Sequence, residues 1–164
     1  AAAVSENGKW AIINREFEFL TDYIYEAVAT DEIGFCSESS RIFVKQTDGW
    51  HLLNTDGEAV TSAVYEDARP FSREGVAAVC QDGVWGYLNE AGEPVIACQY
   101  EDAGTFQEGL APVKRNGMWG YINMENEMVI EPVFEEARPF CEAGTAPVKD
   151  ENWFLIHLYA LDSR

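Results

Sequence analysis

The sequence predicts an all-β protein of tandem three-stranded antiparallel meanders stacked into an open superhelical array, with a propeller-like ring as the alternative. Three observations predict it. All five tryptophans fall on one period, at 10, 50, 85, 119 and 153, with intervals of 40, 35, 34 and 34 residues. Asn-Gly or Asp-Gly pairs stand just before most of them, and little of the chain repeats its apolar residues at helical spacing. Self-similarity at such a period is the signature of a repeat array, and strand-and-turn chemistry inside each period sets its class.

The flanking residues keep the register of the tryptophans. Trp85-Gly86-Tyr87-Leu88-Asn89 matches Trp119-Gly120-Tyr121-Ile122-Asn123, and Trp50-His51-Leu52-Leu53-Asn54 and Trp10-Ala11-Ile12-Ile13-Asn14 are looser copies. Fifteen residues after the first four tryptophans stand Tyr25, Tyr65, Tyr100 and Phe134; twenty-one after the middle three stand Phe71, Phe106 and Phe140.

Each unit can be justified strand by strand. Asn7-Gly8, Asp82-Gly83 and Asn116-Gly117 tolerate positive φ at both central positions of a two-residue turn, so each predicts a tight hairpin whose second strand carries the tryptophan. The second copy shifts this signal by one, to Asp48-Gly49. A second turn follows, with Gly57, Gly92 and Asn126 in matching left-handed places behind Asn54, Asn89 and Asn123, whose side chains can cap it. The third strand carries β-branched pairs, Val95-Ile96 and Val129-Ile130, with Pro94 and Pro132 near strand ends, where a missing N–H is tolerable. A segment such as Tyr100 to Phe106 then bridges to the next unit. The units run 1–47 (degenerate), 48–81, 82–115, 116–150 and a partial 151–164. Three strands with one apolar face are barely enough to stand alone, so units are expected to stack and share a core.

That core is expected to hold Trp10, Trp50, Trp85, Trp119 and Trp153, together with Tyr65, Tyr100, Phe134, Phe71, Phe106 and Phe140. Gly86 and Gly120 are expected to make room for a neighbouring ring.

These residues carry a family resemblance. The segment Glu108-Gly-Leu-Ala-Pro-Val-Lys-Arg-Asn-Gly-Met-Trp-Gly-Tyr-Ile-Asn123, followed by Val129-Ile130-Glu131-Pro132, is similar to the pattern of the WG-repeat (KWG-repeat) proteins. The resemblance is strong from about residue 48 to 149 and weak before that. It implies a repeat scaffold of a mostly bacterial family that occurs as arrays alone or joined to other domains, with no general activity and no catalytic residues to carry over. The chain departs from the pattern at both ends, where Ala11 replaces the glycine and the fifth copy, Trp153-Phe154-Leu155-Ile156-His157, holds one strand. Two readings of those ends stand: caps, or edges of a longer array.

Composition narrows the partners. With 11 Lys plus Arg against 29 Asp plus Glu, the formal charge is −18, which repels phosphate backbones and anionic membrane surfaces. Nucleic acid and membrane insertion are therefore not expected, and no apolar run reaches spanning length.

Candidate sites are few. Glu66-Asp67, Glu101-Asp102 and Glu135-Glu136 recur after the periodic aromatic and would align as a carboxylate row able to attract a basic partner or Ca²⁺. A solvated acidic edge, with Arg69 and Arg138 neutralising it, explains the same residues. No calcium loop of the Asp-x-Asp-x-Asp-Gly kind is present, so no metal or other cofactor is expected. Catalytic carboxylate pairs need unlike environments, whereas these acids repeat identically. His51 and His157 have no nucleophile motif beside them, and no zinc spacing or phosphate loop occurs. Cys36, Cys80, Cys98 and Cys141 form no C-x-x-C pair; free, core-type thiols are expected, with three disulfide pairings left open.

The expected function is a non-catalytic scaffold or binding module for a protein or peptide, with a basic partner among the options. The alternative is a carbohydrate- or cell-envelope-binding module, which requires Trp or Tyr rings exposed in a line.

Overall fold

The computed structural model describes residues 2–30 and 40–160. Cys36 lies outside the described residues. The chain forms five small antiparallel sheets in sequence order. Sheet one is the hairpin β1 (Ala2–Glu6) and β2 (Lys9–Ile13). Sheet two holds β3 (Ala27–Val28), β4 (Ile42–Gln46) and β5 (Gly49–Leu53). Sheet three holds β6 (Asp67–Ala68), β7 (Val76–Gln81), β8 (Val84–Asn89) and β9 (Pro94–Tyr100). Sheet four repeats that order with β10 (Asp102–Ala103), β11 (Ala111–Arg115), β12 (Met118–Ile122) and β13 (Met128–Phe134). Sheet five holds β14 (Glu136–Ala137), β15 (Thr145–Asp150) and β16 (Asn152–His157), followed by a single 3₁₀ turn, Leu158–Ala160.

The hairpins form where the turn dipeptides place them. Asn116 and Gly117 adopt φ of 53° and 77°, and Lys114 pairs with Trp119 across the turn. The next turn is closed by a side-chain clasp that recurs four times. Asn89 Oδ1 accepts the N–H groups of Ala91 and Glu93 at 3.0 Å, and its Nδ2 donates to the Glu93 carboxylate at 3.0 Å. Asn14 with Glu18, Asn54 with Glu58 and Asn123 with Glu127 repeat the Asn-to-Glu bond. In the first copy the left-handed place of this turn is held by Phe17, at φ 63° and 81% exposed, where later copies have Gly57, Gly92 or Asn126.

The three-stranded meander is present and gains a fourth, two-residue strand, and one expectation about its glycines is corrected. Asp67–Ala68 pairs with Val79 and Cys80, and Asp102–Ala103 with Val113 and Lys114. What reads in the sequence as a bridge is therefore the first strand of the next sheet, so each sheet is completed by chain that follows its neighbour's aromatic. Gly86 and Gly120, in turn, make room for backbone and not for a ring. A Cβ on Gly86 would lie 2.6 Å from Ile96 O and Cys98 N, and one on Gly120 would lie 2.4 Å from Ile130 O. The covering strand shifts register at these places, so its bulge presses on the glycine. In sheets one and two, where Ala11 and His51 stand instead, the third strand is reduced to isolated bridges such as Trp10 to Tyr25 and Trp50 to Tyr65.

Strand alternation then assigns the core. On β8, Trp85 and Tyr87 point to the following sheet, and cluster with Ile96, Tyr100, Phe106, Val113 and Ile122. Leu88 points the other way, to Leu52, Tyr65 and Phe71 of the preceding interface. The first and fourth interfaces repeat this with Ile12, Tyr25 and Leu53, and with Tyr121, Phe134 and Phe140. Edge-on ring pairs recur in it: Tyr87 with Phe106 at 4.8 Å and Tyr121 with Phe140 at 5.1 Å between centroids. Such pairs add about 1 kcal/mol each beyond burial. The Tyr87 and Tyr121 hydroxyls donate to the Gly104 and Arg138 carbonyls, each at 2.7 Å, which satisfies the one polar atom those rings bring inside.

Of the expected core residues, Tyr65, Tyr100, Phe134, Phe71, Phe106, Phe140 and Trp85 are buried. Trp10, Trp50 and Trp119 are half-buried. Trp153 is not core: it is 48% exposed, because β16 is an edge strand and, among the described residues, no sheet covers its outward face.

The loops ahead of β7, β11 and β15 converge at one end of the array. Glu74 accepts the Gly109 N–H at 3.2 Å, and Arg73 forms an ion pair with Glu142, two sheets further on. Such a contact skips a unit, so the sheets turn about a common axis at this end. Among the described residues no strand of the first sheet pairs with the last, and the sheets form no closed barrel.

Candidate interaction surface

The acidic pairs follow the end of each covering strand, at the same end as the tight turns, and every one of the six residues has a structural partner. Glu66 Oε2 accepts the Gly83 N–H at 3.0 Å, and Glu101 Oε2 accepts the Gly117 N–H at 2.9 Å. Each carboxylate thus caps the hairpin turn of the following sheet, where a left-handed glycine leaves its N–H pointing outward. Asp67 and Asp102 accept the N–H of the residues after them, Ala68 and Ala103, each at 2.8 Å.

Countercharges complete the row. Arg69 donates to Asp102 at 2.9 Å and lies over the Trp85 ring at 4.9 Å, so it neutralises the acid of the next unit instead of the pair beside it in sequence. Lys149 sits between Glu135 and Glu136 at 3.4 and 3.2 Å, and those two carboxylates raise its pKa. Surface pairs of this kind contribute little individually, on the order of 0–1 kcal/mol. The carboxylates remain largely exposed and give this end of the array its negative potential.

Other candidate groups fall out as structural or isolated. Cys80, Cys98 and Cys141 are free thiols. Burial, with the Glu66 carboxylate 3.6 Å away, pushes the Cys80 pKa up to about 11. Cys141 is exposed beside Thr145, whose hydrogen bonds lower its pKa. His51 meets Asp48 at 2.8 Å on the surface, and that bond lowers the Asp48 pKa. Among the described residues no three His, Cys, Asp or Glu side chains are grouped to hold a metal ion. Among the described residues no helix is long and apolar enough to cross a membrane.

Sequence reasoning missed two features of this surface. Glu18, Glu58, Glu93 and Glu127 each stand four residues after the turn Asn, a spacing that could have revealed the clasp. The other is an apolar patch on sheet five, where Trp153, Phe154 and Leu155 are 48, 46 and 58% exposed. In the other interfaces Trp85 is buried and Trp10, Trp50 and Trp119 are half-buried.

Comparisons with known proteins agree with this architecture. One solved chain, described as a crystal structure of the eukaryotic initiation factor, superposes with a TM-score of 0.58 at 14% identity, over 94% of this chain and 48% of that one. At that identity the likeness concerns fold alone, and this chain spans about half the length of its counterpart. No curated protein matches. The family model of the WG containing repeat matches three consecutive segments, 52–85, 85–119 and 119–152. With more than half of its length matched in unbroken succession, the chain belongs to the WG-containing repeat family.

Proposed function

We propose that this protein is a non-catalytic binding module that docks a protein or peptide carrying basic residues. The observation that carries this reading is the fate of the repeated acids. Each copy spends its carboxylates on a turn N–H, a neighbouring amide or a countercharge, so none is set apart in the unlike environment that acid–base chemistry requires. Their exposed faces still sum with the rest of the chain to a charge of −18, a field that draws in cationic partners and speeds encounter.

The test is titration of the full chain with lysine-rich peptides at low and high salt, followed by calorimetry or anisotropy. Saturable binding that weakens as salt rises from about 50 to 300 mM is expected from screening. Absence of binding to every basic peptide tried, or turnover of a substrate at a defined pocket, would sink the reading.

A further inference from the structure

The tight turn of sheet four is made of Asn116 and Gly117, a dipeptide with a chemistry of its own. Both residues are exposed, and a Cβ on Gly117 would meet nothing within 4 Å, so nothing crowds the glycine. In an Asn-Gly pair the glycine nitrogen, once deprotonated, can attack the asparagine Cγ. The N–Cγ bond forms, the Cγ–Nδ2 bond breaks, and the side-chain nitrogen leaves as ammonia carrying the proton that the glycine nitrogen lost. Water then opens the resulting five-membered succinimide at either carbonyl. One opening leaves aspartate; the other leaves isoaspartate, in which the backbone runs through Cβ and Cγ.

The attacking nitrogen is the one that Glu101 holds, since Glu101 Oε2 accepts the Gly117 N–H at 2.9 Å. A carboxylate there resists loss of the proton, because the amide anion would form beside a negative charge. It gives little help as a base, being far too weak to deprotonate a peptide N–H. Ring closure also swings the Gly117 nitrogen toward Cγ by rotation about the Asn116 Cα–C bond. That motion breaks the bond to Glu101 and the pairing of Arg115 with Met118.

Sheet three shows which product the turn accepts. Asp82 and Gly83 adopt φ of 54° and 74°, against 53° and 77° at Asn116 and Gly117, and Glu66 holds the Gly83 N–H in the same way. Aspartate therefore fits. Isoaspartate lengthens a two-residue turn by one methylene, and the pairs Arg115 with Met118 and Lys114 with Trp119 cannot both keep their register around it.

We propose that Asn116-Gly117 is a latent modification site, at which spontaneous formation of isoaspartate is held back by Glu101. The bond that fastens this turn thus also sets the chemical lifetime of the β11–β12 hairpin. Once it is lost, the turn ages to a product that loosens the hairpin and adds a negative charge to an end already rich in carboxylates.

The test incubates the full chain, its Glu101→Ala, Glu101→Gln and Glu66→Ala variants, and the free peptide Lys-Arg-Asn-Gly-Met-Trp, residues 114–119, at mildly alkaline pH. Peptide mapping by mass spectrometry then resolves Asn, Asp and isoaspartate at 116 over time. Asn116 is expected to be lost about tenfold more slowly in the full chain than in the peptide, the factor a charge-assisted hydrogen bond supplies. Glu101→Ala should raise the rate roughly fivefold or more, and Glu101→Gln, which keeps an acceptor without the charge, should fall between. Glu66→Ala removes the same kind of cap from the turn of sheet three, so it should leave the rate at Asn116 nearly unchanged; this separates loss of the bond from general loosening of the fold. Loss of Asn116 as fast in the full chain as in the peptide, no acceleration in Glu101→Ala, or equal acceleration in Glu66→Ala overturns the proposal.

Discussion

Glu66 and Gly83, seventeen residues apart, are joined by a carboxylate-to-amide hydrogen bond of 3.0 Å that fastens the end of one sheet's covering segment to the tight turn of the next. Glu101 and Gly117 repeat the bond at 2.9 Å, so the acids that look like a site in the sequence are fasteners between units. Glu66→Ala is expected to destabilise the fold by about 1 kcal/mol, in line with the loss of a helix-cap acceptor, and Glu66→Gln by less because an acceptor remains. Urea unfolding of the three chains checks this; equal midpoints would contradict it.

The two classes of glycine should separate by magnitude. Gly86→Ala forces a methyl to within 2.6 Å of backbone on the covering strand, and a cost of about 2–3 kcal/mol is expected from overpacking that only backbone movement relieves. Gly83 has open space at its Cβ and only its positive φ to defend, so Gly83→Ala should cost about 1 kcal/mol. Thermal or chemical denaturation of both variants is the measurement, and the reverse order would mean that the bulge does not press on Gly86.

Phe17 stands in a left-handed conformation with its ring 81% exposed, so it bears the strain of that conformation and gains little packing. Phe17→Gly should therefore stabilise the protein by about 0.5–1 kcal/mol, the strain relief outweighing the added freedom of the unfolded chain. A drop in the unfolding midpoint would show that the ring makes contacts that matter.

How far the sequence could be read depended on how local each feature is. The hairpins at Asn116-Gly117 and Asp82-Gly83 and the capping Asn residues were legible because one or two adjacent side chains decide them. Asp67–Ala68 was not, since a two-residue strand shows no alternation and its partners, Val79 and Cys80, lie in the following hairpin. The reason for Gly86 was equally hidden: the spacing marks a place where no Cβ fits, but not whether ring or backbone fills it. Trp153 obeys the period perfectly and is still exposed, because burial belongs to the neighbouring sheet and not to the residue. The acid pairs were visible as a row, yet their partners depend on three-dimensional register.

Alkaline pH should loosen the fold. The Cys80 pKa is raised from 9.0 to about 11, and burial raises those of Tyr87 and Tyr121, so folding holds these groups in their neutral forms. As pH passes the ordinary thiol value the unfolded chain loses protons that the folded chain keeps, and stability falls. The contribution of these groups should thus be flat below about pH 9 and decline from there toward about pH 11. Urea midpoints at pH 7.5, 9 and 10.5 test the slope, and Cys80→Val should make it shallower. A midpoint that rises with pH would contradict the assignment.

The short strands β6, β10 and β14 tie each sheet to the one before it, and native-state amide hydrogen exchange reads them residue by residue. The amides of Glu66, Arg69 and Glu101, bonded to the carbonyls of Cys80, Ala78 and Lys114, are expected to exchange as slowly as the central amides of β7 and β8, because the sheets open together. Fast, loop-like exchange at those three amides, with β7 and β8 still protected, would show that the sheets fold as separate bodies and contradict that tie.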